Sequence, residues 1–342
     1  MKASILTEFG EADKLRYQDI ETPKIREDEV LVRVRACSLN HLDIWIRKGL
    51  RQKVKLPHVL GSDIAGEVEE VGKLVEGFKR GDRVVIAPGL SCGKCEYCLT
   101  SRESMCERYS IIGALEWGGY AEYVKVPLVN LIPLPQDKDF VEASAFPLTF
   151  LTAWHMLITL ANIKPGDFVL VWAAGSGVGS AAIQIAKLFG AKVITTVGSD
   201  DKAKKADELL KPDLILNHYK DDIVLNVKKF TNGKGADIVF DSVGKATWKR
   251  SLESLARGGT YVNCGVTSGS TSEINLAYVF RKQLKIFGSY MGSKGELLKA
   301  FSFYKEGKLK PIIDSVFNLK DAGKAHERME KSRHFGKIVL IP

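Results

Sequence analysis

From about residue 168 onward the chain alternates short, unbroken apolar runs with amphipathic stretches. Residues 168–174, Phe-Val-Leu-Val-Trp-Ala-Ala, read as a buried strand, and 178–189 as a helix that Gly190 stops. Residues 192–197 read as a second strand, and further strands are predicted at 214–217, 237–243, 259–265 and 284–289, with helical stretches between several of them. Repeated strand–helix–strand units of this kind build a doubly wound parallel sheet, an α/β fold. The first ~145 residues follow a different pattern. Strand-like runs at 29–36, 65–71 and 82–87 are punctuated by Gly and Pro, which predicts an antiparallel, barrel-like, mostly β domain. A helix near 295–306 precedes a final strand at 336–342, expected to return to that first domain. The apolar stretch at 143–161 approaches membrane-spanning length, but Pro147, His155 and several hydroxyl side chains make it a buried helix instead.

Composition changes this picture little. The 342 residues suffice for two domains, and 45% hydrophobic with 27% charged residues is ordinary for a globular chain. The surplus of nine positive charges is scattered, so neither a nucleic acid nor a membrane surface is expected as a partner. The first residues lack an apolar secretory core, which predicts a reducing, cytoplasmic setting. In that setting Cys92, Cys95, Cys98 and Cys106, spaced C-x2-C-x2-C-x7-C, read as metal ligands before disulfides. Four thiolates close a tetrahedral shell around one zinc ion and leave no open position for chemistry, so this zinc is expected to be structural.

The turn Ala174-Gly175-Ser176-Gly177-Val178-Gly179 follows a predicted strand and opens a predicted helix. Backbone N–H groups at such a turn bind a pyrophosphate, and the glycines permit close approach. An NAD site commonly places an acidic residue at the end of the second strand, where this chain has Val197. Ser199 and Lys202 follow and suit a 2′-phosphate, so NADP(H) is favoured, with NAD(H) open because of Asp200 and Asp201. Capping of a helix N-terminus is the expected role of those two aspartates.

Together with Gly61-x4-Gly66-x-Val68-x2-Val71-Gly72 and Gly81-Asp82-Arg83-Val84, these features resemble the medium-chain dehydrogenase/reductase superfamily, which includes zinc alcohol dehydrogenases and quinone reductases. The resemblance covers essentially the whole chain. It implies a GroES-like catalytic domain from residues 1–148 and 291–342, with a zinc lobe at about 89–110, and a Rossmann domain at 149–290. It also implies an active site in the cleft and a homodimer or homotetramer.

At the positions where zinc alcohol dehydrogenases hold a catalytic zinc, the resemblance places Asn40, Ser62 and Leu148, which are poor zinc ligands. Ser38-Leu-Asn-His-Leu-Asp43 instead resembles quinone and enone reductases. The expectation is one structural zinc, no catalytic zinc, and hydride transfer from NADP(H) to a quinone or an α,β-unsaturated carbonyl. A site rebuilt from Cys37, His41, His58, Asp63 and His155 is the alternative, giving alcohol or aldehyde chemistry. A non-catalytic NADPH-binding protein is the third. Asn40 is the expected hydrogen-bond donor to the developing oxyanion, with backbone N–H groups at Cys264, Gly265 and Val266 second. His41 is a candidate proton relay, and Thr152 is expected to shape the nicotinamide pocket. The resemblance implies that Lys337 reaches the pyrophosphate. Asp43 and Arg47, four apart, are expected to pair on a helix. Cys264 reads as a small wall residue, not a nucleophile. Trp45, Leu115, Trp117 and Tyr290 are expected to line the substrate pocket.

Overall fold

The structure, a computed structural model, describes residues 1–50 and 54–342. It divides into two compact units. The first comprises Met1–Leu148, Ser293–Lys305 and Lys310–Pro342, and the second Thr149–Gly292 with Glu306–Leu309. The return to the first unit thus falls at Ser293, two residues beyond the position expected from the sequence.

In the first unit, the strand Glu29–Ser38 is the hub of a seven-stranded sheet. It pairs antiparallel with Asp63–Val71, Tyr123–Pro127 and the C-terminal strand Lys337–Ile341. In its central run Val-Leu-Val-Arg-Val only Arg33 is exposed, as in a strand covered on both faces over most of its length. Gly66 lies where the strands press together: a Cβ there would sit 2.1 Å from the Arg33 carbonyl oxygen. Ala36, Ala145 and Val339 form one core cluster of this unit, covered by Phe140, Val141, Ile313 and Ile341.

The second unit carries six parallel strands in the order Leu214–Asn217, Lys192–Val197, Phe168–Val171, Ala236–Asp241, Leu255–Asn263, Lys285–Gly288. Four of these strands are bracketed to within a few residues by the predicted runs. The apolar run at 168 ends as a strand at Val171, because Trp172 and Ala173 already turn toward the next helix, Ala173 with φ of 61°. Trp172 is buried between sheet and helix and donates its indole N–H to Ser251 Oγ at 2.8 Å. The apolar stretch at 143–161 contains the helix Pro147–Trp154 and a wider π-helical turn, His155–Leu160. Among the described residues no helix is long and apolar enough to cross a membrane.

Candidate active site

Strand register decides which side chains meet in the first unit. Ser38 lies opposite Asp63 on one side and Val339 on the other. Because side chains alternate along a strand, Asn40, Asp63 and Lys337 share one face. They join there in a closed network. Asn40 Nδ2 donates to Asp63 Oδ2 at 2.9 Å, while Lys337 Nζ donates to Asn40 Oδ1 at 2.7 Å and to Asp63 Oδ2 at 3.0 Å. The backbone N–H of Leu148 donates to Asp63 Oδ1 at 2.8 Å. Asn40, Asp63 and Lys337 are 7%, 0% and 3% exposed, so the ion pair is screened from water. Removing one partner of such a pair costs about 3–5 kcal/mol, because the other charge is left buried. The cation and carboxylate also fix the Asn40 amide, oxygen toward ammonium and nitrogen toward carboxylate.

Asn40 ends the extended segment and begins the helix His41–Arg47, its N–H donating to Asp43 Oδ2 at 2.8 Å. Asp43 also accepts from the Gly61 N–H at 3.2 Å and Tyr120 Oη at 3.2 Å. Burial pushes its carboxyl up to about 6, against the lowering effect of these bonds. Asp43 therefore does not pair with Arg47 as the i,i+4 spacing suggested. Arg47, fully buried, reaches Glu330 at 2.7 Å instead, a carboxylate that Lys48 shares at 2.6 Å.

Tyr120 Oη lies 3.1 Å from His326 Nε2, and burial, followed by the Arg47 charge, pulls His326 down to about 3. Burial and the Lys337 charge likewise hold His41 below the ordinary imidazole value. Its ring is 6.5 Å from that of His334. Cys37 points the other way: its Sγ packs where a Cβ on Gly61 or Gly119 would go, at 2.6 and 2.9 Å. His58 Nε2 lies 3.1 Å from the Gly113 carbonyl oxygen.

In the zinc lobe, Cys95 begins the short helix Glu96–Leu99, and all four Sγ atoms lie within 4.8 Å of one another. Cys92 and Cys98 are 3.8 Å apart, Cys95 and Cys98 3.5 Å. Zinc–sulfur bonds of about 2.3 Å in a tetrahedron imply edges of about 3.8 Å, so the donor set fits zinc. Among the described residues this is the group of three or more His, Cys, Asp or Glu placed to share an ion.

The second unit presents the dinucleotide turn. Ser176 caps the helix Gly177–Leu188, its Oγ accepting from the Gly179 N–H at 2.9 Å. The helix geometry leaves the Gly177 and Val178 amides without an intrahelical acceptor, and Gly175 completes the turn into them. A Cβ on Gly179 would stand 2.3 Å from the Ala173 carbonyl oxygen, so the turn tolerates only glycine there. These residues fit a pyrophosphate.

After the second strand, Ser199 caps the helix Asp200–Leu210, accepting from the Lys202 N–H at 3.3 Å. The expected capping by Asp200 is corrected: its carboxylate is held by Lys220 at 2.7 Å and Asn217 at 3.2 Å. Burial, then the Arg250 and Lys202 charges, hold His218 below the ordinary imidazole value; its ring lies against Gly198, and Arg250 stacks over Trp172 at 5.0 Å.

Thr152 is buried in the helix Pro147–Trp154. The Cys264 N–H is spent on the Asp241 carbonyl oxygen at 3.1 Å, which removes it from the expected set of backbone donors. Burial, then the Asp241 charge, pushes its thiol up to about 12, too high for a nucleophile. Gly265 is required by contact, since a Cβ would meet the Ser242 carbonyl oxygen at 2.5 Å, and Val266 is exposed. Leu115, Trp117 and Tyr290 are exposed and Trp45 partly buried.

Comparison with known proteins gives the same two halves. Residues 26–136 match the alcohol dehydrogenase GroES-like domain, and residues 177–306 the zinc-binding dehydrogenase family. An alcohol dehydrogenase of Geobacillus stearothermophilus is 35% identical over 99% of this chain and 98% of its own. The chain belongs to the medium-chain dehydrogenase/reductase superfamily. An acryloyl-coenzyme A reductase of Sulfurisphaera tokodaii is 30% identical over 100% of both chains. A solved NAD-dependent alcohol dehydrogenase is 46% identical, with both chains covered over 100% and a TM-score of 0.96. As a member of this superfamily the protein is an NAD(P)-dependent oxidoreductase with a nicotinamide cofactor and zinc. Two features of the medium-chain site were not foreseen: the pairing of Asp63 with Lys337, which are 274 residues apart, and the approach of His334 to His41. The signal that could have found both is the C-terminal His334-Phe-Gly-Lys337, which places two ionisable side chains at the start of the last strand and just before it.

Proposed function

We propose that the protein is an NADP(H)-dependent reductase that moves hydride onto an α,β-unsaturated carbonyl or a quinone, with one structural zinc and no catalytic one. The observation that carries this reading is the Asn40–Asp63–Lys337 network. At the three positions that resemblance equates with catalytic zinc ligands stand the Asn40 amide, Ser62 and Leu148, which contributes its backbone N–H to Asp63. Asp63, a zinc-competent donor bonded to Asn40, is paired with a buried lysine. Oxidation of a simple alcohol calls for deprotonation of its hydroxyl, which a Lewis-acidic metal assists. Reduction of a conjugated carbonyl needs only donors for the oxygen that becomes negative.

The reduced nicotinamide supplies hydride when bound. Gly175, Ser176, Gly177, Val178 and Gly179 would hold its pyrophosphate, and Ser199, Lys202 and Arg250 the 2′-phosphate that favours NADP(H). Asn40 retains one amide N–H beyond its bond to Asp63 and can direct it at a carbonyl oxygen. The final proton on carbon comes from water, with His41 as a relay. A reducing, cytoplasmic setting suits four metal-bound thiolates.

A second reading, an alcohol dehydrogenase, is favoured by the names of the 46% and 35% identical proteins. One experiment separates the two: zinc per chain by elemental analysis, alongside NADPH and NADH turnover on enones, quinones, aldehydes and alcohols. About one zinc, with NADPH-driven reduction of enones or quinones, supports the first. About two, with alcohol oxidation lost on chelation, replaces it with the second.

The chain is also proposed to pair with a second copy along the edge strand Lys285–Gly288. Among the described residues that strand has a neighbour on one side only, and it follows the exposed helix Leu276–Lys282, which buries none of its residues.

A further inference from the structure

We propose that Lys337 is a catalytic residue, whose ammonium donates its third N–H to the carbonyl oxygen of the substrate. An ammonium carries three donors and no acceptor. Two are fixed by Asn40 Oδ1 at 2.7 Å and Asp63 Oδ2 at 3.0 Å, and the third has no acceptor among the described residues. Lys337 is only 3% exposed, so bulk water does not readily satisfy that N–H. On the same face, one row away, Ser38 Oγ is also buried without a partner among the described residues. Two buried polar groups with unused capacity on one face mark a place that a polar ligand atom completes.

The arrangement suits a developing negative charge better than a resting one. Asp63 balances Lys337 in the ground state, so the pair attracts no particular anion until charge appears on the carbonyl oxygen. A tethered ammonium then gives a charge-assisted bond, stronger than one from a neutral amide, and needs no reorganisation. The Asn40 N–H acts beside it, held by the same two partners.

In an enone the β-carbon accepts hydride, two electrons and one hydrogen, from the reduced nicotinamide, which is left oxidised. The former C=C pair becomes the new double bond to the carbonyl carbon, and the C=O π pair moves to oxygen. Lys337 holds that enolate oxygen without losing its proton. The α-carbon then takes a proton from water, which restores the carbonyl and leaves hydroxide to the solvent.

The inference rests on the proposed function for its hydride donor and its carbonyl, but not on the choice between enone and aldehyde. The test compares wild type with Lys337→Gln and Lys337→Arg. It measures kcat at saturating NADPH for a weakly electrophilic enone and a strongly electron-accepting quinone, with the NADPH Kd by fluorescence. Lys337→Gln is expected to lose about 10²–10³-fold in kcat on the enone, as removal of an oxyanion donor does, far less on the quinone, and to keep its NADPH Kd within a few-fold. Lys337→Arg, which keeps the charge, is expected to lose less on the enone. Equal losses on both acceptors would make Lys337 structural, and an effect confined to NADPH Kd would place it on the pyrophosphate. Either overturns the proposal. Should Lys337→Gln fail to fold, the graded loss is read from Lys337→Arg alone. A wild type that reduces only aldehydes refutes the proposed enone and quinone chemistry but leaves the comparison intact with aldehydes of different electrophilicity. A wild type that reduces no carbonyl overturns both.

Discussion

The fully buried set His326, Tyr120 and Asp43 shows how single residues tie stability to pH. Tyr120 donates to Asp43, so His326 offers its Nε2–H to the Tyr120 oxygen and its bare Nδ1 faces no donor among the described residues. Protonating that nitrogen would bury an N–H without an acceptor, which accords with a value pulled from 6.5 down to about 3. The sign follows from linkage. Between about 6.5 and about 3 the unfolded chain binds a proton at His326 that the folded chain refuses, so stability falls as pH falls. Asp43 acts oppositely: raised from 3.8 to about 6, its folded carboxyl binds the extra proton between those values, and stability falls as pH rises through them. The two effects offset over most of the window from about 4 to about 6, and His326 alone is exposed by difference. His326→Gln is expected to melt below wild type near neutral pH and to close or reverse that gap by pH 4, on the order of 4 kcal/mol as an upper bound. Melting curves at matched ionic strength check this, and a pH-independent gap would refute it.

At the scale of elements, the turn before the helix Gly177–Leu188 makes the sharpest prediction. Gly179→Ala forces a methyl within 2.3 Å of the Ala173 carbonyl oxygen and 2.7 Å of Ser176 Oγ, the atom that caps the helix. The turn must open, with loss of about 1–2 kcal/mol of capping and at least tenfold in NADPH affinity. Titration by cofactor fluorescence checks it; unchanged affinity means the turn yields more easily than its contacts indicate. This element was legible because its information is local: apolar run, glycines and amphipathic helix lie within 22 consecutive residues. The cysteine lobe was legible for the same reason, and the parallel strands at 192–197 and 214–217 have the predicted bounds. The Asn40–Asp63–Lys337 network was not. Asn40 was singled out, but its partners come from strands whose register, Ser38 against Asp63 and Val339, is set by packing far along the chain. The misassigned partner of Arg47 has the same origin, since helical spacing offered Asp43 while the fold brought in Glu330 from another helix.

For the whole molecule, charge and apolar surface pull in opposite directions. Lys plus Arg exceed Asp plus Glu by nine, so two copies of the chain repel at long range. Yet Leu276, Phe280, Ile286 and Ile274 stand 70%, 67%, 39% and 38% exposed around an edge strand that has no pairing strand on its outer side among the described residues. An isolated chain would carry that edge as an aggregation site, whereas antiparallel pairing with the same strand of a second copy closes both edges at once. Apolar burial is insensitive to screening and the repulsion is not, so the dimer should tighten, not loosen, as salt rises from about 0.05 to about 0.5 M. Sedimentation is expected to give twice the chain mass for wild type, and the mass of one chain for Phe280→Asp combined with Ile286→Lys, both with native circular dichroism. The double variant leaves the Asn40–Asp63–Lys337 network and the glycine turn untouched, so its melting temperature should fall while NADPH affinity stays within a few-fold. A wild type that sediments as one chain, or a double variant that still pairs, would show that these side chains face solvent for another reason.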